Sequence, residues 1–328
     1  MKDKLVIIGN GFDLAHNYNT SYKNFAQSAR GQLFYKENKD LFANETDDAT
    51  NWFEFEKKIC DITAKLFASG EPIGNSGLFL GREFKSWSEY IEEVNKRFTD
   101  LSNKLMSYLA EEEKRDNAFL KTVAEYLNDT TYVIDFNYTS TVEKYTKDVF
   151  YVHGSIKEND IILGYDHHLN YYNGETDIME PHLMRRNKHF MREALSYRRF
   201  LRKRGEAESK AVEEGNKYLD YIVNRESDMS GLIGPFEGYR YNEFVKSAEN
   251  GFEIPIRIDF DAIKTIIIMG HSLSSDEMLL RNALIGQCTK AKHVVLFTYA
   301  EEKHFQLEEK ERFLKSILPD VDCQTPFY

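Results

Sequence analysis

Gly9-Asn10-Gly11-Phe12-Asp13 follows directly on the apolar run Leu5-Val6-Ile7-Ile8. A strand that breaks at Gly-x-Gly and continues into a helix is the layout of a first βα turn that binds a nucleotide. Glycines there let the backbone approach a pyrophosphate at a helix N-terminus. The third glycine of the usual fingerprint is absent, with Leu14 in its place and Ala15 after it, so the turn gains meaning from other loops that meet it. Three further loops carry polar residues just after apolar segments. Asn137-Tyr138-Thr139 follows Val133-Ile134-Asp135-Phe136, His153-Gly154-Ser155 follows Phe150-Tyr151-Val152, and Gly270-His271-Ser272-Leu273 follows Ile266-Ile267-Ile268-Met269. Ligands of parallel sheets bind at the carboxyl ends of the strands. Gly9, Asn10, Gly11, Asp13, Thr139, Gly270, His271 and Ser272 are therefore candidate nucleotide contacts. Gly270 and Ser272 would let backbone and hydroxyl approach a phosphate.

The elements that must position these residues are readable in outline. Residues 5–8, 132–136, 262–269 and 293–298 are expected strands, with weaker candidates at 149–152 and 161–163. Their hydrophobicity is continuous rather than alternating, which predicts strands covered on both faces of a parallel sheet. Residues from about 21 to 127 and from about 166 to 255 read as two mostly helical insertions. In the first, Phe84, Trp87, Tyr90, Ile91, Val94, Phe98 and Leu101 follow helical spacing. The expected fold is α/β, a single Rossmann-like domain over residues 1–328 with a parallel sheet and those two insertions.

Bulk properties narrow the function classes. A formal net charge of −11 over 328 residues argues against nucleic acid as a partner. Cys60, Cys288 and Cys323 lie far apart with no C-x-x-C pair, which argues against a thiolate-only zinc site, and the odd count argues against a disulfide scaffold. His167 and His168 are adjacent and would point apart on a strand or helix, so no metal is expected. No apolar run approaches the ~18–20 residues of a membrane span. The apolar run after Met1-Lys2-Asp3-Lys4 is too short for a signal peptide. The expected location is cytoplasmic, with no membrane partner.

Taken together, Gly9-Asn10-Gly11-Phe12-Asp13-Leu14-Ala15-His16, Phe136-Asn137-Tyr138-Thr139, Val152-His153-Gly154-Ser155 and Gly270-His271-Ser272-Leu273 resemble the phage abortive-infection AbiH family. The same motifs resemble a diverged sirtuin-type core. That core has a Gly-rich first turn, an Asn-containing loop, His-Gly about sixteen residues later and a late Gly-[Ser/Thr]-Ser turn. Here Asn137 and His153 are 16 apart, and Gly270-His271-Ser272 fills the last slot. The resemblance implies an NAD site in which Asn137 and His153 act at the nicotinamide ribose, with NAD as substrate. The four-cysteine zinc module of protein-deacylating sirtuins is missing, and Thr139 stands where an Asp commonly follows the Asn by two positions. Both departures favour cleavage of NAD by water over peptide deacylation.

That cleavage passes through an oxocarbenium-like state. Under this reading Asn137 orients the water or a ribose hydroxyl, His153 accepts a proton near neutral pH, and Asp13 holds a ribose hydroxyl or stabilises positive charge. The implied partners are NAD or a related nucleotide and a phage-derived trigger, and the chain is compatible with a homo-oligomer. Two other classes stand beside it. One is a catalytically silent nucleotide-binding sensor that signals through its helical insertions. The other is a serine hydrolase, because Gly270-His271-Ser272-Leu273-Ser274 matches the nucleophile elbow Gly-x-Ser-x-Gly except that Ser274 replaces the last glycine, and His293 and His304 lie downstream. Plainer roles also exist for single residues. Asp13 and His16 fit the first turn of a helix, His271 fits a packed imidazole, and the basic stretch 185–204 fits a solvated helix face. Asn51-Trp52-Phe53-Glu54-Phe55-Glu56 fits aromatics packed in the core, or a carboxylate near the site. Protein purified without a metal-affinity tag should show no stoichiometric zinc by elemental analysis, and a one-to-one value would reopen the deacylase reading.

Overall fold

Leu5, Val6, Ile7 and Ile8 are wholly buried, so β1 (Lys4–Ile8) is covered on both faces. The computed structural model describes residues 2–39, 87–115, 119–128, 130–163, 258–274, 279–298 and 304–327. The remaining strands in chain order are β2 (Thr131–Asp135), β3 (Val149–Tyr151), β4 (Gly154–Ser155), β5 (Asp160–Ile161), β6 (Thr265–Met269), β7 (His293–Phe297) and β8 (Asp322–Gln324). Six of them form one sheet in the order β3-β2-β1-β6-β7-β8, and every pairing in it is parallel. Counted along this sheet alone, that is the 3-2-1-4-5-6 order of doubly wound dinucleotide-binding sheets. The chain is therefore α/β. β4 and β5 form a separate antiparallel pair.

Register brings the four loops to one level. Ile8 pairs with both Asp135 and Met269, Asp135 pairs with Tyr151, and Met269 pairs with Phe297. The residues that leave these strands therefore leave at the same carboxyl edge. Alternate residues fill alternate faces. Val6, Ile8, Val133, Ile267, Met269, Val295 and Phe297 share one core cluster with Phe12, Val123, Leu127 and Val142. Leu5, Ile7, Ile134, Ile266, Ile268, Val294 and Leu296 are also buried.

The helices are α1 (Asn10–Ala15), α2 (Tyr22–Gln27), α3 (Ala29–Glu37), α4 (Trp87–Glu112), α5 (Lys121–Tyr126) and α6 (His304–Ile317). At six residues, α1 could not hold its shape alone in water. Phe12 anchors it with no exposed surface, a burial worth about 1.5–3 kcal/mol. Ser21 caps α2 by accepting the Asn24 N–H, and Ser28 caps α3 by accepting the Gly31 N–H, both at 3.1 Å. α4 buries Val94, Phe98, Leu101, Leu105, Tyr108 and Leu109, the spacing of one helix face.

The structure moves several expected boundaries. Ala262 belongs to a 3₁₀ turn (Phe260–Ala262) rather than to the strand. The Lys264 N–H donates to Asp3 O at 2.9 Å, and this pairing sets the start of β6 beside β1. Thr298 makes an isolated bridge to Phe327. The weak candidate at 161–163 contributes only its first residue, in β5, outside the main sheet. β8 was not anticipated. It is a polar edge strand with Asp322 and Gln324 exposed, so it carries no apolar run to announce it. Phe84, Asn51 to Glu56, Cys60, His167, His168, the basic stretch 185–204 and the expected insertion at 166–255 lie outside the described residues.

The sheet reverses its winding between β1 and β6, and there the two exit loops press backbone on backbone. The Gly9 N–H donates to Met269 O and the Gly11 N–H to Gly270 O, each at 2.9 Å. A Cβ on Gly9 would stand 2.6 Å from His271 Cα, and one on Gly11 would stand 2.8 Å from Gly270 Cα. Gly270 itself has φ +70°, and a Cβ there would meet the Phe12 nitrogen and lie 2.6 Å from Gly11 Cα. No flexible side chain can yield at these contacts. Gly270→Ala should therefore lower unfolding stability by about 3–5 kcal/mol, the upper range for single substitutions, read as a shift in denaturant midpoint. A loss below about 1 kcal/mol, the size of a left-handed backbone penalty alone, would show that the loops are not in contact.

Candidate functional site

Asn137 stands where the loop after β2 crosses the loop after β1. Its backbone N–H donates to Asp135 Oδ1 at 2.8 Å, and its Nδ2 donates to the Gly9 carbonyl at 3.1 Å. One side-chain amide thus ties two motif loops together. The side chain is buried. Two residues on, Thr139 Oγ1 donates to Asp13 Oδ2 at 2.6 Å, and Thr141 Oγ1 donates to Thr139 Oγ1 at 3.2 Å. Thr20 Oγ1 donates to Asn10 Oδ1 at 2.7 Å. The first loop, α1 and the Asn137 loop are therefore one hydrogen-bonded unit.

Aromatic packing joins the other two loops to it. The Phe136 ring lies edge-on between His153, at 5.4 Å between centroids, and His271, at 4.5 Å. His153 has no exposed surface, and His271 is buried as well. The Leu273 N–H donates to His271 Nδ1 at 3.0 Å, so that nitrogen is an acceptor and a neutral His271 carries its proton on Nε2. Leu273 has φ +63° with its side chain buried, a backbone conformation that costs a non-glycine residue on the order of 1–3 kcal/mol.

The structure thus gathers Gly9, Asn10, Gly11, Asp13, Asn137, Thr139, His153, Gly270 and His271 at one edge of the sheet. Ser272 lies on the same loop but is exposed, and Ser274 Oγ donates to its hydroxyl at 3.1 Å. The hydrolase alternative loses His293 as a base. His293 starts β7, level with Thr265, at the opposite edge of the sheet, roughly 13 Å of strand below the Ser272 loop.

His16 is a structural residue rather than a ligand contact. Phe12 O is only an acceptor, so His16 Nδ1 donates to it at 2.7 Å. Nε2 then accepts the Tyr145 hydroxyl at 2.6 Å, while the Leu120 N–H donates to the same hydroxyl oxygen at 2.8 Å. Burial lowers the His16 pKa, in keeping with a neutral ring.

Several residues of this region escaped sequence reading. Asp135 carries no motif of its own, although it is a carboxyl inside an otherwise apolar, covered segment. Burial raises its pKa well above the carboxylate range, and the Asp13 charge adds to that rise. Burial also raises Asp13, to about 6, against the hydrogen bond from Thr139 and the facing hydroxyls of Thr141 and Thr20. A carboxyl that titrates near neutrality is suited to proton transfer. Glu113 accepts both the Ser140 N–H and the Ser140 hydroxyl. At the end of α4, Glu112 accepts the Asn19 N–H at 3.1 Å and the Tyr108 hydroxyl donates to Asn19 O at 2.7 Å. Nothing in the sequence around 108–113 marks this clamp, because its partners are about 30 and 90 residues away.

The family model for bacteriophage abortive infection AbiH matches residues 5–299. No curated protein and no solved structure matches the chain. No described helix is long and apolar enough to cross a membrane.

Tyr145→Phe should cost about 1–3 kcal/mol, because it leaves the buried His16 Nε2 without its donor. Chemical denaturation of the variant reads this directly. A change within a few tenths of a kcal/mol would mean that the hydroxyl and imidazole do not meet.

Proposed function

The chain belongs to the AbiH family of bacteriophage abortive-infection proteins, and from that premise we propose that it defends its host by cleaving NAD to nicotinamide and ADP-ribose. The observation that carries the reading is the meeting of Asn137 and His153 with the Gly9 and Gly270 loops at the carboxyl edge, where the winding of the sheet reverses. Open α/β sheets bind their ligands at that position. In this reading NAD is consumed as substrate, its nicotinamide ribose lies against the Asn137 loop, and the sirtuin-like motifs mark a diverged core of that type. Asn137 orients the ribose or the attacking water, and His153 takes the proton. The nicotinamide–ribose bond breaks, its electron pair leaves with nicotinamide, and the water oxygen closes on the ribose carbon.

Asn137 and His153 are both shielded from solvent, so this reading takes the described state as the resting one. An NAD-depleting enzyme endangers its own host, and a closed resting site held until a phage-derived trigger arrives fits that constraint. A nucleotide-binding sensor without catalysis is the second reading. It is favoured by the engagement of the Asn137 amide with the Gly9 carbonyl, which occupies the group that catalysis would need.

Incubation of the chain with NAD, NADP and ATP, with and without extract of phage-infected cells and with products resolved by chromatography, tests the chemistry. Nicotinamide release should fall by about 10²–10⁴-fold in His153→Ala and by about 10²-fold in Asn137→Ala. Both positions are buried, so unfolding midpoints are measured alongside. Release that persists in either folded variant contradicts the assignment.

A further inference from the structure

Asp13 and Asp135 are both 1% exposed, and each uses only one carboxyl oxygen. Thr139 donates to Asp13 Oδ2 and the Asn137 N–H to Asp135 Oδ1, while Asp13 Oδ1 and Asp135 Oδ2 are buried with no hydrogen-bond partner. The neighbouring hydroxyls do not fill the gap, since Thr20 donates to Asn10 and Thr141 donates to Thr139. The charges acting on the pair are themselves acidic: Glu113 acts on Asp13, and Asp13 acts on Asp135. Tyr151 faces Asp135, Glu143 and Glu113, and Lys157 and Lys147 are held by Glu143. Two buried anions with half their oxygens unbonded cost more than two hydrogen bonds return. A bound proton removes that cost and turns one orphan acceptor into a donor.

We propose that Asp13 and Asp135 form a buried carboxyl pair that keeps a proton at neutral pH, and that Asp135 is thereby the positioning residue of Asn137. The positioning half rests on the NAD-cleaving reading above, and the proton half does not. While the pair holds its proton, the carboxyl of Asp135 stays buried under the loop and fixes the Asn137 backbone. Asn137 in turn reaches Gly9. Full ionisation places two like charges in one dry site, and hydrating them means lifting the loop. Asp13 and Asp135 both titrate above the ordinary Asp value of 3.8, and as a coupled pair they lose protons in steps that belong to both. A folded-state pKa raised in this way gives stability that is complete below about 3.8 and is lost as pH rises through about 6 and beyond. His16 acts with the opposite sign, because its pKa is lowered and its contribution is lost on the acid side. Comparison of each variant with wild type at the same pH cancels it.

The full chain is compared with Asp13→Asn and Asp135→Asn, whose amides mimic the protonated carboxyl. Unfolding midpoints are read from about pH 5 to about pH 8. Asp135→Asn should gain on wild type as pH rises, and a difference that stays flat overturns the proposal. Infrared spectra of the wild type need no variant to fold. At neutral pH the ordinary carboxyls among the 54 Asp and Glu are ionised, so a protonated-carboxyl band should persist there and disappear at high pH. Its absence at neutral pH also overturns the proposal. Nicotinamide release by wild type should decline on the alkaline side, Asp135→Asn should flatten that decline, and Asp135→Ala should lose about 10²-fold in kcat. If release occurs and its pH profile is unchanged in Asp135→Asn, the positioning role falls. If no form releases nicotinamide even in extract of phage-infected cells while the midpoints and infrared band behave as stated, the NAD reading fails and the carboxyl pair stands.

Discussion

The structure depends on one close approach, the backbone of the β1 exit loop against the backbone of the β6 exit loop. Gly9, Gly11 and Gly270 meet there without room for a Cβ, and two backbone hydrogen bonds close the contact. Because β1 and β6 are neighbours in the sheet, this contact fixes where α1 begins. The position of α1 then sets that of Asp13, which receives Thr139, while the Gly9 carbonyl receives Asn137. The first turn resembles a phosphate cradle in sequence, and in the described state its glycines face the chain's own backbone.

Around that contact the edge is built in two chemical halves. Toward β2 it is polar and acidic, with Asp13, Asp135 and Glu113 behind a row of hydroxyls. The other half is aromatic and spans the edge, with Phe136 after β2 between the imidazoles of His153 after β3 and His271 after β6. The clamp at the end of α4 links the first half to the helical region. Glu112 and Tyr108 hold Asn19, and Glu113 holds Ser140. A displacement of α4 would therefore reach the loop after α1 and the Asn137 loop together. That is a physical route by which a helical region could report on, or act on, the sheet edge.

Sequence reading reached the sheet because burial on both faces leaves a plain signal. The runs that became β1, β2, β6 and β7 each hold a continuous apolar stretch, and the polar exits of β1, β2 and β6 marked loops that converge. It missed β8, an exposed polar edge strand, and it extended β6 back to Ala262, which closes a turn and is followed by the buried Ile263. At the edge it found the residues that carry recognisable motifs: Asn137, His153, Asp13 and the glycines. It passed over Asp135 because a carboxylate within a strand reads as an exception to hydrophobicity rather than as half of a pair. Glu113 and Tyr145 were invisible for a different reason, since each acts across the fold on partners that no local spacing predicts. His16 fitted the first turn of a helix in sequence, and only the position of Tyr145 shows both its nitrogens engaged inside the protein.

The central claim is that this edge consumes NAD when phage attack. The most direct measurement is the cellular NAD level through a phage challenge, in cells that carry the wild-type chain or a folded, equally expressed Asn137→Ala or His153→Ala form. The account predicts that NAD collapses with wild type and holds with both variants, and that protection is lost with them. Protection that survives both substitutions with NAD unchanged would contradict it and leave a nucleotide-binding sensor in its place.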